Sequence, residues 1–269
     1  MKVDDLIVYG KSKVHSDLAK MLLADLMDVN SLELLTILDQ EVPEDIINEY
    51  KYRVDELRKG RPIQYIIGNV NFCGNILEVN ENVLIPRADT EILVEEVLKL
   101  TNDSNKILDL CTGSGCIAIS LKKANNSLEV TASDLSQNAL TIAILNAQLN
   151  DAKVSFIKSD LFDNINEKFD IIVSNPPYIR TKIINSLDVE VQNEPHLALD
   201  GGEDGLKFYR TIAENAYKYL NNGGVLALEI GYDQKEEVIS LLEKAGKYSE
   251  IHCKKDLGDN DRVIVCKLK

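Results

Sequence analysis

Ile107-Leu108-Asp109-Leu110-Cys111-Thr112-Gly113-Ser114-Gly115 is the stretch whose reading decides the fold. An apolar strand runs into a loop with two glycines, and a helical segment starts near Cys116. Strand, glycine loop and helix together suit a nucleotide. Glycine lets backbone N–H groups come close to a ligand at a helix N-terminus. Asp134 ends the next predicted strand, about 20 positions beyond Gly115, where a carboxylate can accept hydrogen bonds from ribose hydroxyls.

The loop also satisfies G-x-G-x-x-A through Ala118, which raises a dinucleotide site. Asp109 argues against one. A carboxylate at the mouth of the loop repels a pyrophosphate and attracts a cation, such as the ammonium or sulfonium of S-adenosylmethionine. A third acid, Asp160, ends the segment Phe156-Ile157-Lys158-Ser159-Asp160, with Leu161 and Phe162 just beyond. That grouping suits adenine: a carboxylate for the exocyclic amino group and apolar side chains for the ring. Two glycines alone more often mark a tight turn. Acids at three consecutive strand ends outweigh that reading, because ligands in such sheets bind at the carboxyl ends of strands.

Working outward from the loop, strands are expected at 106–110, 128–133, 153–157, 169–174, 224–230, 249–254 and 261–267, and helices at 116–124, 136–149, 205–221 and 233–245. Such alternation predicts a largely parallel sheet covered on both faces. The last two strands, joined by a short loop, are expected to be antiparallel. Upstream, a helix is predicted from Asp89 or Thr90 to Leu100. Residues 63–79 carry short β-prone runs broken at Gly68 and at Cys73-Gly74-Asn75, which reads as a hairpin. Residues 1 to 60 read as helical. Leu18, Met21, Leu22 and Leu26 have helical spacing, Ser31 suits an N-cap for 32–38, and Pro43 to Gly60 brackets a helix with a stripe of Ile46, Ile47, Tyr50, Val54 and Leu57. The expected organisation is a helical domain over 1–62, a hairpin connector over 63–80 and a catalytic domain over 81–269.

Asn175-Pro176-Pro177-Tyr178 follows the predicted strand 169–174. Two prolines cannot continue a strand and donate no N–H. Each also holds the residue before it extended. The Pro176 carbonyl is therefore expected to point away from any ladder and to form, with the Asn175 side-chain oxygen, two acceptors of fixed geometry. Such a pair suits an NH2 group. It holds both N–H bonds, directs the nitrogen lone pair at a methyl donor and builds electron density on nitrogen as it pyramidalises. Tyr178 offers an aromatic face to a planar group. Asn175, Pro176 and Tyr178 are the candidate catalytic residues, with Pro177 completing the substrate contact.

The remaining composition narrows the class. The chain has 269 residues, 45% hydrophobic and 28% charged, with a formal net charge of −14. An acidic surface disfavours a nucleic acid and suits a basic protein partner. No apolar run approaches the roughly 20 residues of a membrane span, and no signal-peptide pattern opens the chain. The five cysteines include no C-x-x-C pair, and the three histidines show no ligand spacing. Free thiols, no metal and a cytoplasmic location are the expectations.

At this point the chain resembles the HemK/PrmC family, which methylates the glutamine of the Gly-Gly-Gln motif in peptide chain release factors. The resemblance includes Arg61-Pro62-Ile63-Gln64-Tyr65-Ile66 with Gly68 and Phe72, Val83-Leu84-Ile85-Pro86-Arg87 with Thr90-Glu91, and Asp109 through Ala118. It continues through Asn175 to Ile179, Glu194-Pro195 with Ala198-Leu199, Gly201-Gly202 with Asp204-Gly205-Leu206, and Leu228-Glu229-Ile230-Gly231. Asn-Pro-Pro-Tyr alone is shared with adenine-N6 and guanine-N2 methyltransferases; the Ile-Pro-Arg and Gly-Gly-x-Asp-Gly-Leu segments narrow the resemblance. It implies a class I S-adenosylmethionine-dependent methyltransferase, with a Rossmann-like seven-stranded α/β sheet, a helical N-terminal domain that helps to dock a class 1 release factor, and N5 methylation of glutamine. The family's cofactor positions map onto Cys111, Thr112, Gly113, Ser114, Gly115, Asp134, the residue after Asp160 and Asn175. The sequence departs from the family at Cys111, where many members have glycine, at Ala88-Asp89 in place of Pro-Glu, and at Leu161, where tryptophan is common. Phe162 is the second candidate for packing on adenine. A nucleic acid amino-group methyltransferase, which would want a basic face, is the alternative. A nicotinamide-binding or non-catalytic module is disfavoured by Asp109 and by Asn175 to Tyr178. The long loop after Tyr178, with Glu194-Pro195 and Gly201-Gly202, is a candidate lid.

Overall fold

A computed structural model describes residues 1–103 and 105–269. Cα packing divides the chain into two units, one of Met1–Asn69 with Asp188–Asn193, the other of Val70–Leu187 with Glu194–Lys269.

The first unit is helical: α1 (Val3–Lys11), α2 (Ser16–Leu26), α3 (Ser31–Leu34), α4 (Glu44–Arg58) and α5 (Ile63–Ile67). Helix α1, not separated out in the sequence, buries Val3, Leu6, Ile7 and Gly10, the i, i+3, i+4, i+7 stripe of an amphipathic helix. Its side chains meet Leu22, Leu23, Leu34, Tyr50 and Val54 in one core. Three local expectations need correction. The N-cap of α3 is Asn30, whose Oδ1 accepts from the N–H groups of Leu32 and Glu33 while Glu33 reaches back to the Asn30 N–H, a capping box one residue before Ser31. That helix ends at Leu34, well short of 38. Residues 63–67, expected to be β-prone, form a helical turn after Pro62, ended by Gly68 at φ 94°.

The second unit opens with a hairpin, β1 (Asn69–Phe72) and β2 (Asn75–Glu78), followed by α6 (Ala88–Leu100). Then β3 (Lys106–Leu110), α7 (Cys116–Ala124), β4 (Glu129–Asp134), α8 (Gln137–Leu149), β5 (Val154–Lys158) and β6 (Phe169–Ser174) alternate. A long loop carries the helical turns α9 (Thr181–Ile184) and α11 (His196–Leu199), with α10 (Val189–Gln192) between them in sequence and counted with the first unit, before α12 (Lys207–Asn215). The chain ends with β7 (Leu220–Glu229), α13 (Lys235–Ala245), β8 (Tyr248–Lys255) and β9 (Asp261–Leu268). The predicted helix 205–221 is shorter, because Gly205 at φ 77° cannot join it, and a 3-10 turn at 216–218 leads into β7.

Seven strands pair in the order β5-β4-β3-β6-β7-β9-β8. β3 to β7 run parallel, and β9 is inserted antiparallel between β7 and β8. Strand alternation separates the faces. Ile107, Ile171 and Val173 pack with Phe72 and Leu77 of the hairpin, Leu93 and Val97 of α6 and Ile117 of α7. Leu108, Leu110 and Ile172 pack with Tyr209 and Ile212 of α12 and Leu242 of α13. From β3 the chain winds outward through β4 and β5, then returns to lay β6 against the other side of β3. The carboxyl ends of β3 and β6 are thus a topological switch point, where a ligand crevice opens in such sheets.

Candidate active site

The register places the two motifs side by side. Leu110 pairs with Ser174, and the Ser174 hydroxyl donates to the Leu110 carbonyl at 2.8 Å. Cys111 and Asn175 therefore leave adjacent strands at the same level. Both line a cleft with Gly113, Asp134, Asp160, Leu161 and Pro177.

The loop after β3 is left-handed at Cys111 (φ 60°), Gly113 (φ 56°) and Gly115 (φ 83°). Cys111 thus accepts a conformation that costs a side chain about 1–2 kcal/mol, which is why glycine suits this position. A Cβ on Gly113 would meet nothing within 4 Å, so space lies open over that residue. Asp134 spans the loop and the next helix: its Oδ2 accepts from the Gly113 N–H at 2.9 Å and its Oδ1 from the Ser136 N–H at 2.8 Å. Burial raises its pKa, and those backbone donors oppose the rise. Asn146 of α8, fully buried, steadies the loop from behind by donating to the carbonyls of Ser114 and Glu78 and accepting from the Glu78 N–H.

Not every predicted cofactor residue faces this cleft. Asp109, expected at its mouth, is wholly buried beneath the loop. Alternation along β3 turns it toward α7 with Ile107, and its Oδ2 accepts from the Thr112 hydroxyl at 2.6 Å while its Oδ1 has no partner. The side chain faces the N-terminal turn of α7, whose Ala118 N–H opposes the pKa rise that burial imposes. Thr112, Ser114 and Gly115 are also buried and shape the turn rather than line the cleft. Phe162, the second candidate for adenine, stacks on Tyr219 in the core (centroids 4.7 Å, planes 8° apart) and leaves Leu161 to line the cleft at φ 45°. Sequence reasoning missed Leu135, Leu197 and Phe208, apolar side chains that also line it. Leu135, next to Asp134, carried a signal, being an apolar residue between a strand end and a helix N-cap. Leu197 and Phe208 come from the long loop and α12, and no local spacing announces them.

Burial raises the pKa of Asp109 from 3.8 to about 7 against the pull of Thr112 and Ala118. The folded carboxyl therefore holds its proton more tightly than the unfolded one. Between about pH 4 and about 7 the native state binds more protons, so stability is expected to fall as pH rises through that window and to level off above it. Urea unfolding of the cofactor-free protein checks this, and Asp109→Asn should flatten the curve by a contribution on the order of a few kcal/mol. An unchanged pH slope in that variant would assign the dependence elsewhere.

At the other end of the cleft the Asn175 Nδ2 donates to the hydroxyl of Thr90, buried in the first turn of α6, at 3.2 Å. That turns Oδ1 to the other side. No loop N–H among the described residues donates to the Pro176 carbonyl. Pro176 and Tyr178 do not themselves line the cleft beside Asn175 and Pro177. The Tyr178 ring packs against the α12–α13 core near Gly231, and burial drives its hydroxyl pKa upward.

The long loop is tied to this tetrapeptide. Ile179 and Asp200 bridge, with Ile179 N–H to Leu199 O at 2.9 Å and Gly201 N–H to Ile179 O at 2.8 Å. The Gln234 Nε2 donates to the carbonyls of Tyr178 and Gly205 at 3.0 and 3.2 Å, and its Oε1 accepts from the Gly231 N–H. A Cβ on Gly205 would lie 2.5 Å from the Tyr178 carbonyl oxygen, and its φ of 77° disfavours any side chain. Gly205→Ala is expected to cost about 2 kcal/mol or more, read as a lowered urea midpoint, because both the conformation and the packing forbid it. Farther along, the buried carboxylate of Glu194 accepts from the Ile85 N–H at 2.9 Å and pairs with the Arg87 guanidinium. That contact fastens the Ile-Pro-Arg segment to the loop and brings Val83, Leu84, Pro195, Leu197 and Ala198 into one cleft wall.

Comparison with known proteins agrees with this geometry. The family profile described as the methyltransferase small domain matches residues 87–256, and that of the PrmC N-terminal domain matches residues 13–68. The release factor glutamine methyltransferase of Thermodesulfovibrio yellowstonii is 40% identical over 254 residues, covering 92% of this chain and 90% of its own. That of Clostridium acetobutylicum is 38% identical, covering 98% of each. This chain belongs to the release factor glutamine methyltransferase family. A methyltransferase of Pyrococcus furiosus shares the fold, with a TM-score of 0.54 at 22% identity over 71% of this chain and 87% of its own. The family's cofactor is S-adenosylmethionine, and the cleft fits it: open space over Gly113, a carboxylate at Asp134, apolar side chains at Leu135, Leu161 and Phe208, and Asp160 at the rim. Among the described residues no helix is long and apolar enough to cross a membrane, and no group of His, Cys, Asp or Glu is placed to hold a metal ion.

Proposed function

We propose that this chain methylates the N5 amide nitrogen of the glutamine in the Gly-Gly-Gln motif of class 1 peptide chain release factors. One observation carries the proposal: the Asn175 NH2 is held by Thr90, so its Oδ1 is left to accept on the wall of the cofactor cleft, next in the chain to Pro176, whose carbonyl takes no loop N–H among the described residues. Two acceptors of fixed geometry match the two N–H bonds of a primary amide. Accepting from them builds charge on a poorly nucleophilic nitrogen and aligns its lone pair.

Bound S-adenosylmethionine supplies an activated methyl group, so no strong base is needed before transfer. Asp134 would hold the ribose hydroxyls, the backbone around Gly113 the methionine portion and Asp160 the adenine amino group, with Leu135 and Leu161 supplying apolar surface for the ring. The helical unit over residues 1–69 contributes to docking the release factor. The net charge of −14 favours a basic protein substrate over a nucleic acid.

Methyl transfer from labelled S-adenosylmethionine to a purified bacterial release factor tests the reading. Label is expected on the wild-type factor and absent from a factor carrying Gly-Gly-Ala. Label on nucleic acid instead, or on the altered factor, would overturn it.

A further inference from the structure

Glu229 ends β7 beside the tetrapeptide. Ser174 pairs with Leu228, so Glu229 and Asn175 are the next residues along neighbouring strands. The side chain is buried, 1% exposed, and its Oε2 has no hydrogen-bond partner. The polar side chains of Thr90 and Asn175 face its carboxyl and oppose the pKa rise that burial imposes. The nearest cation, Arg262, is committed elsewhere: it pairs with Asp256 and Asp89 and donates to the Ile230 carbonyl. A buried carboxylate placed at a strand end without a dedicated cation is costly to folding, and nothing in the core requires it.

We propose that Glu229 is a positioning residue for methyl transfer, an acceptor that fixes the Asn175 amide with its NH2 toward β7 and its Oδ1 toward the substrate. This rests on the reading of Asn175 given above. Thr90 alone does not set that orientation, because a hydroxyl both donates and accepts and would satisfy either face of the amide. An ionised carboxylate only accepts. A reversed Asn175 would set its oxygen against the Glu229 oxygens in a dry site. By accepting from the NH2 group, Glu229 also polarises the amide and strengthens Oδ1 as an acceptor.

The arrangement depends on ionisation. Burial raises the Glu229 pKa to about 7, and Thr90, Arg262 and Asn175 oppose the rise. The other titratable groups around it are Asp89 of α6, Cys116 of α7, Tyr178 and Tyr209 of α12. Once protonated, Glu229 becomes a donor and accommodates the reversed amide. The rate of transfer therefore falls as pH drops through about 7.

The test is Glu229→Gln, an isosteric change, with Thr90→Val as a second variant, assayed with a purified release factor and labelled S-adenosylmethionine on both sides of pH 7. For Glu229→Gln the expected kcat is about tenfold lower, less than the 10²–10³-fold cost of losing a directly contacting group. The KM for the release factor and the Kd for S-adenosylmethionine should stay within about twofold, and the acid limb of the pH profile should disappear. Thr90→Val, which leaves the carboxylate in place, should keep that limb. Unchanged kcat, a retained acid limb in Glu229→Gln, or a parallel loss of cofactor affinity would overturn the assignment. Asn175→Ala in the same assay separates the two readings. If it abolishes transfer while Glu229→Gln is normal, only the role of Glu229 falls; if it transfers normally, the reading of the tetrapeptide falls with it.

Discussion

Asn175→Ala is expected to lower turnover by about 10²–10³-fold, equivalent to about 2.7–4 kcal/mol of transition-state stabilisation, the usual cost of removing one preorganised hydrogen-bonding group. The acceptor it removes matters most as charge develops on the substrate nitrogen, so the loss should fall on kcat rather than KM. Cofactor affinity should weaken by less than about tenfold, because Asn175 is one of several residues along the cleft wall. The fold should hold: the parallel pairing of β6 with β3 ends at Ser174, one residue earlier, and the Ser174 hydroxyl clamps that end. Single-turnover transfer to a release factor, with calorimetric titration of the cofactor, measures both quantities. Near-normal turnover would mean that the tetrapeptide is only a rigid turn after a strand.

Glu194→Ala should act through the walls of the cleft. The Glu194 side chain is 2% exposed and satisfies the Ile85 N–H as well as the Arg87 guanidinium. Arg87 is 39% exposed and can turn to water, but the buried Ile85 N–H cannot. Leaving it unpaired costs about 1–3 kcal/mol. The loss is local, since it releases Val83 to Arg87 from Pro195 to Ala198, and both segments line the cleft. Affinity for S-adenosylmethionine should fall by about 10- to 100-fold, matching that energy. Hydrogen exchange of the amides around Ile85 should quicken. Glu194→Gln keeps an acceptor and should recover most of the affinity. Unchanged exchange and affinity in the alanine variant would show that the contact holds nothing together. The same anchor bears on the loop expected as a lid, which is held at Glu194, at the Ile179–Asp200 bridge and at Gln234.

Much of this was legible because the signals are local. Apolar runs of strand length, a left-handed glycine loop and two prolines after a strand are decided by backbone sterics and short-range burial, which neighbouring residues carry with them. The strands at 106–110 and 169–174 and the helix at 116–124 stand at their expected bounds. The errors lie where two local signals competed. Asn30 and Ser31 both suit an N-cap, and only Asn30 has Glu33 placed to complete the box. Residues 63–67 have β-rich composition, yet Pro62 and Gly68 frame one helical turn.

What the sequence by itself determined is the identity and order of the chemical parts: the glycine loop, the acids at strand ends, the tetrapeptide and the family to which they belong. What only the tertiary structure decided is which face each part presents. Asp109 turned inward because alternation along β3 aims it at α7, and Phe162 turned into the core because Tyr219 offered a stacking partner. Leu197, Phe208 and Glu229 join the cleft or its supports from segments far along the chain. Their positions follow from strand order and loop closure, which are set by the packing of the whole sheet and leave no trace in local spacing.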